Sequence, residues 1–159
     1  MSSFIHITDA NEASLIQRSG IKLSRIGTRK GVYCFPVLKD FHMSHQWARE
    51  LKRSGVRGLV CIQFKLPDDM VVEVGKYNQD KIRLASSEAI HTIMNHSDPY
   101  GLEVIVPEKI LPSQIQRIYP APRLTGWRYY PEAKGKKPFC HCRYCNRGEI
   151  KANRLIRED

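Results

Sequence analysis

No apolar run in the 159 residues approaches the roughly 20 that a membrane span needs. The opening Met1-Ser-Ser-Phe-Ile-His-Ile-Thr-Asp9 lacks the basic and apolar regions of a signal peptide, so a cytoplasmic protein with no membrane contact is expected. Acidic side chains are scarce beside basic ones, 16 Asp and Glu against 26 Lys and Arg. Cysteine is odd in number, five in all, and three of the five crowd together, which argues against a disulfide framework. Internal repeats and low-complexity runs are missing. At 42% hydrophobic residues the chain has the material for a core, so disorder throughout is excluded.

The net charge of +10 favours polyanionic partners, nucleic acid or nucleotide phosphates, and is unevenly spread. Residues 1–125 hold 17 basic and 12 acidic groups, whereas residues 126–159 hold 9 and 4, so the last fifth carries half the excess. Pattern and composition also change there. The expectation is a main domain over residues 1–125 and a small basic, Cys-rich appendage over 126–159.

The order of elements indicates an α+β domain. A strand at Phe4–Ile7 leads to Asp9 as N-cap of a helix over Ala10–Ser19, stopped by Gly20, with Ala13, Ile16 and Leu15 inward. Ser24–Lys30 reads as a polar, basic stretch and Gly31–Pro36 as a buried strand closed by proline. Ser44 caps a helix His45–Arg53 that Gly55 ends. Gly58–Leu66 is a strong strand, and the turn Pro67-Asp-Asp69 suggests that it pairs as a hairpin with Met70–Val74. Ser86–Asn95 is helical, with Ile90, Ile93 and Met94 on one face. Strands at Leu102–Val106 and Gln114–Ile118 follow.

Three places carry chemistry. His6 and Thr8, at i and i+2, share one side of the first strand. Tyr33 follows Gly31-Val32, an aromatic ring with a polar tip on a buried strand. Glu103 is a lone carboxylate opening an apolar strand, so it sits either at an exposed strand mouth or in a site that uses it. Cys34 and Cys61, inside apolar stretches, read as core.

In this order, H-x-T on a strand, a helix closed by Gly20, Gly31-Val-Tyr33, then Glu103-Val-Ile-Val106 before a last strand, the chain resembles the ADP-ribosyltransferase superfamily. It is most similar to the histidine–tyrosine–glutamate branch that includes the poly(ADP-ribose) polymerases. The stretch His6–Ile21 also resembles the opening of toxins that ADP-ribosylate DNA. The resemblance implies a split, bent β-core with short helices, gripping NAD between two small sheets. By the same resemblance His6 would bond the adenosine-side ribose, Thr8 would support the dinucleotide backbone, Tyr33 would stack on nicotinamide, and Glu103 would be catalytic, holding the nicotinamide-side ribose. The place two residues before Glu103, Gln or Glu in many superfamily members, is Gly101 here. Lys22, Arg25, Arg29 and Lys30 either meet the pyrophosphate or an anionic acceptor or form a solvated loop. A related family, the RNA 2′-phosphotransferases, uses NAD to strip a phosphate from RNA, and the charge would suit that acceptor too.

The tail holds Cys140-x-Cys142-x-x-Cys145, spacing that lets thiolates converge on one zinc ion, with His141, His91 or His96 as candidates for the fourth ligand. Trp127, Tyr129, Tyr130, Lys134, Lys136 and Arg143 interleave aromatics with cations, a pattern that grips phosphates and stacks on bases of DNA or RNA. The rival to an NAD-dependent transferase is therefore a non-catalytic nucleic-acid-binding module with a zinc knuckle.

Overall fold

A computed structural model describes residues 1–53, 56 and 58–122. Along this stretch run β1 (Ser2–Asp9), α1 (Ala13–Ser19), β2 (Ser24–Ile26), β3 (Arg29–Pro36), α2 (Phe41–Ser44), α3 (Ala48–Arg53), β4 (Leu59–Leu66), β5 (Val71–Lys76), β6 (Ile82–Ala85), α4 (Ser86–Met94), β7 (Leu102–Val106) and β8 (Ile115–Pro120). The strands form one eight-stranded sheet in the order β6-β5-β7-β3-β1-β4-β8, with β2 paired on β3. The fold is α+β, built on an antiparallel sheet carrying short helices.

Both edges of β4 are occupied. β1 runs against it from Ser2↔Leu66 to Asp9↔Leu59, and β8 covers the other side from Val60↔Pro120 to Phe64↔Ile115. On the inner face Phe4 and Phe64 are register partners, fully buried, with ring centroids 6.1 Å apart. The expected β4–β5 hairpin is therefore not formed: with no free edge on β4, β5 crosses away and pairs with β6 and β7. The sequence alone signals no strand at Ile82–Ala85, four residues that follow the polar Asn78-Gln-Asp-Lys81; paired with β5 they form β6.

β3 changes partner along its length. Arg29–Gly31 pairs with β2, Val32–Cys34 with β7, and only Phe35 and Pro36 with β1. What sequence alone presents as a basic loop, Ser24–Lys30, is thus a hairpin, in which Arg25 faces Lys30. Gly31 lies so near β7 that a Cβ there would stand 2.3 Å from Ile105 Cγ2 and 2.8 Å from the Val106 carbonyl oxygen.

Several helix details differ from expectation. Asp9 does cap, accepting from the Asn11 N–H at 2.9 Å, but it opens a short 3₁₀ turn and α1 starts only at Ala13. Ile16 is the buried residue of α1, while Leu15 lies 48% exposed, because a seven-residue helix buries one narrow stripe. Gly20 ends α1 at φ +77°. Between β3 and β4 two helices replace one. Asp40, not Ser44, caps the first, accepting from the Met43 N–H at 3.0 Å. Ser44 closes that helix, its Oγ accepting from the Leu38 N–H at 2.7 Å. On α4 Ser86, Ala89 and Ile93 face the core and Met94 is turned out to solvent. Cys34 and Cys61 are buried free thiols, as expected of core positions.

Candidate active site

The β1–β3 ladder is short, with register pairs only at Phe4↔Pro36 and Ile5↔Phe35. Beyond Phe35 the two strands no longer exchange backbone hydrogen bonds, yet a buried carbonyl still needs a donor. His6 supplies it: its Nδ1 lies 2.7 Å from the Tyr33 carbonyl oxygen. A carbonyl only accepts, so Nδ1 carries the hydrogen, and a neutral ring then leaves Nε2 as an acceptor. Neutrality follows from burial, which lowers the His6 pKa against the smaller opposing effects of that hydrogen bond and of Glu12.

A cavity of about 240 Å³ opens where the strands part. His6 from β1, Tyr33 and Cys34 from β3, Trp47 and Glu50 from the α2–α3 region, Tyr77 and Glu103 all contribute to its wall. The hairpin β2 adds Ser24 and Ile26. His6, Tyr33 and Glu103, which stand 27 and 70 residues apart in sequence, are thus brought to one cavity. Thr8 is not on its wall and instead donates to Glu12 Oε2 at 2.9 Å. Cys140, Cys142 and Cys145, with the rest of residues 126–159, lie outside the described residues. Among the described residues no cluster of three or more His, Cys, Asp or Glu could hold a metal ion, and no helix is long and apolar enough to cross a membrane.

Two aromatic side chains that sequence reasoning missed form part of the wall. The Trp47 indole donates to the Leu102 carbonyl at 2.9 Å, which fixes its plane. Its ring lies 5.7 Å from that of Tyr77, inclined at 55°. Tyr77 is held by its own N–H, which donates to the Gly101 carbonyl at 2.7 Å. Gly101 is in turn clamped from the other side, its N–H donating at 2.7 Å to Oε1 of the fully buried Gln46. At φ +78° this position suits glycine, so a Gln or Glu there would be strained in this backbone.

Glu103 is not at an exposed strand mouth. Its side chain is 13% exposed and its Oε1 lies 3.0 Å from the Nζ of Lys81, itself 2% exposed. Burial pushes the Glu103 carboxyl above its ordinary range, and Lys81 and then Arg29 pull it back towards ionisation. Arg29 is tied to Glu73 by a 2.8 Å contact. Burial also raises the neighbouring Cys34 thiol well above its usual value, with the charge of Glu103 adding to the effect. That thiol is therefore neutral and a poor nucleophile.

No family model matches this chain. No curated protein and no solved structure matches it significantly either. The chemistry must be read from the cavity itself. Its walls offer flat aromatic surface, an uncharged imidazole acceptor and two poorly solvated carboxylates, Glu103 and Glu50. Such a carboxylate stabilises positive charge developing on a sugar carbon far better than it would in water.

Proposed function

We propose that the protein is an NAD-dependent ADP-ribosyltransferase acting on a macromolecular acceptor, with nucleic acid as the preferred class. The observation that carries this reading is the convergence of His6, Tyr33 and Glu103 on one cavity. The two-pair ladder between β1 and β3 is compatible with the split sheet that this fold family uses.

In the proposed reaction the nicotinamide ring rests on the aromatic wall and Glu103 accepts a hydrogen bond from the nicotinamide-side ribose. The bond between C1′ and the ring nitrogen breaks, its electron pair leaving with neutral nicotinamide. Positive charge develops at the ribose, and the Glu103 carboxylate faces it. An acceptor nucleophile then bonds to C1′ and loses its proton to solvent. His6, neutral, accepts from a hydroxyl of the adenosine-side ribose. The net charge of residues 126–159 suits a polyanionic acceptor, and Cys140, Cys142 and Cys145 suit a zinc ion.

Incubation with NAD labelled in the adenosine half, in the presence of DNA, RNA or protein, tests this directly. Label transfer and nicotinamide release that disappear in Glu103→Ala are expected. Neither label transfer nor release by the wild type, with salt-sensitive nucleic-acid binding unaffected by Glu103→Ala, would instead leave a non-catalytic binding module.

A further inference from the structure

We propose that Lys81 is a positioning residue for Glu103: its ammonium, pinned in the turn between β5 and β6, holds one carboxylate oxygen so that the other meets the ribose hydroxyl of NAD. This rests on the ADP-ribosyl-transfer reading of the cavity and adds to it the group that orients the catalytic carboxylate.

An ammonium has three N–H donors. Lys81 Nζ spends one on Glu103 Oε1 at 3.0 Å, one on the Lys76 carbonyl at 2.6 Å and one on the Gln79 carbonyl at 3.0 Å. All three anchor the same nitrogen, and two of them belong to the turn backbone. The turn is shaped to make this possible. Asn78 takes φ +58° at its tip, and Gly75, the register partner of Glu103, carries no side chain. A Cβ at Gly75 would stand 2.8 Å from Lys81 Cδ and 2.5 Å from the Asp80 carbonyl oxygen. The lysine stem therefore passes over the one residue of β5 beside Glu103 and reaches it across the strand.

Stability gives little reason for the arrangement. Buried ion pairs are commonly no better than well-packed apolar residues of the same volume. Their use lies in fixing geometry and charge. With Oε1 engaged by Lys81, Oε2 is the oxygen that remains for a ligand hydroxyl. The other groups about Glu103 do not replace Lys81. Arg29 from β3 is committed to Glu73, and Cys34 is a neutral thiol. His6 is neutral, Tyr33 adds no cation, and Glu50 would add negative charge.

The test follows the Glu103 carboxyl by carbon NMR across pH in the full chain, assigned with Glu103→Gln, alongside kcat/KM for nicotinamide release. In Lys81→Met the carboxyl should titrate at higher pH than in the wild type. The acid limb of kcat/KM should move with it, giving about a tenfold loss near neutrality that recovers on the alkaline side. Lys81→Gln, which keeps a donor for the turn carbonyls, serves if the Met variant does not fold. An unchanged Glu103 titration and an unmoved acid limb, with the wild type active, would overturn the role of Lys81 alone. Absence of nicotinamide release from the wild type would overturn the transferase reading and this role with it, while the NMR titration would still report the ion pair.

Discussion

At the scale of single residues, burial moves two titratable groups of the cavity, Glu103 and His6, in opposite directions. Glu103 is pushed up by desolvation and pulled back by Lys81 and Arg29, whereas His6 is pushed down by the same desolvation. For His6 the linkage is direct. Its folded-state value lies below the ordinary 6.5 of a histidine, so the unfolded chain binds the proton first as pH falls. The stability that neutral His6 contributes is present above that pH and is lost below it, down to the lowered folded value. His45, also lowered by burial, adds a loss in the same direction. His6 and His45 should therefore each lower the stability read from urea midpoints on acidification below about pH 6.5, by at most about 1.4 kcal/mol per pH unit. The raised Glu103 carboxyl contributes the opposite trend. In His6→Asn, whose side-chain amide can still donate to the Tyr33 carbonyl, the slope should lessen and the part due to His45 persist. An identical slope in the variant would mean that His6 takes up its proton freely in the fold. The residues that line the cavity were unequally visible. His6, Tyr33 and Glu103 stand out because each is a polar side chain on an apolar strand. Lys81 does not, since a lysine within Gln79-Asp-Lys81 has the appearance of a solvated turn residue, and only the ladder beside Gly75 shows where it goes.

At the scale of elements, the cavity exists because β3 shares itself among three neighbours. Gly31 is the point at which it leaves β2 and approaches β7, two residues before Tyr33. Alanine at this place would press its methyl on Ile105 Cγ2 and on the Val106 backbone, and the latter cannot turn aside. Overpacking of this kind costs about 1–3 kcal/mol, so Gly31→Ala should lower the urea midpoint and disturb the Tyr33 side of the cavity. A midpoint within error of the wild type would show that β3 and β7 can spread without cost. Periodicity marked out β1, β3, β4 and β7 in the sequence because these strands bury apolar side chains on a packed face. The three-residue β2 and the four-residue β6 gave no such signal, being short edge segments held by the ladders of β3 and β5. The β4–β5 hairpin failed for a related reason: a turn signal at Pro67-Asp-Asp69 states that the chain bends and leaves the choice of neighbour to competition for strand edges.

At the scale of the whole molecule, half of the excess charge lies over residues 1–125, which include the cavity, and half over residues 126–159. A specific ligand of the native state must raise its stability, by about 2.7 kcal/mol at 100 times its Kd. NAD should accordingly raise the melting temperature of the wild type, and an unshifted temperature at millimolar NAD would count against dinucleotide binding. The cysteines of the tail make a separate prediction. Purified full-length protein should carry close to one equivalent of zinc by elemental analysis, lost on replacing Cys140, Cys142 and Cys145 by serine. Less than about half an equivalent in the wild type would remove the knuckle from consideration.

The amino-acid sequence by itself determined the α+β class, the core strands and three polar residues placed where polar residues need a reason. It could do so because burial periodicity and the cost of a lone buried charge are local properties, readable from a few neighbours. Only the tertiary structure decided that β5 avoids β4, that Thr8 turns to Glu12 while His6 reaches Tyr33, and that Lys81 crosses Gly75 to meet Glu103. Each of these depends on which strand edges remain open and which buried carbonyls and charges still lack partners. Those needs are met between residues tens of positions apart, where spacing along the chain carries no information.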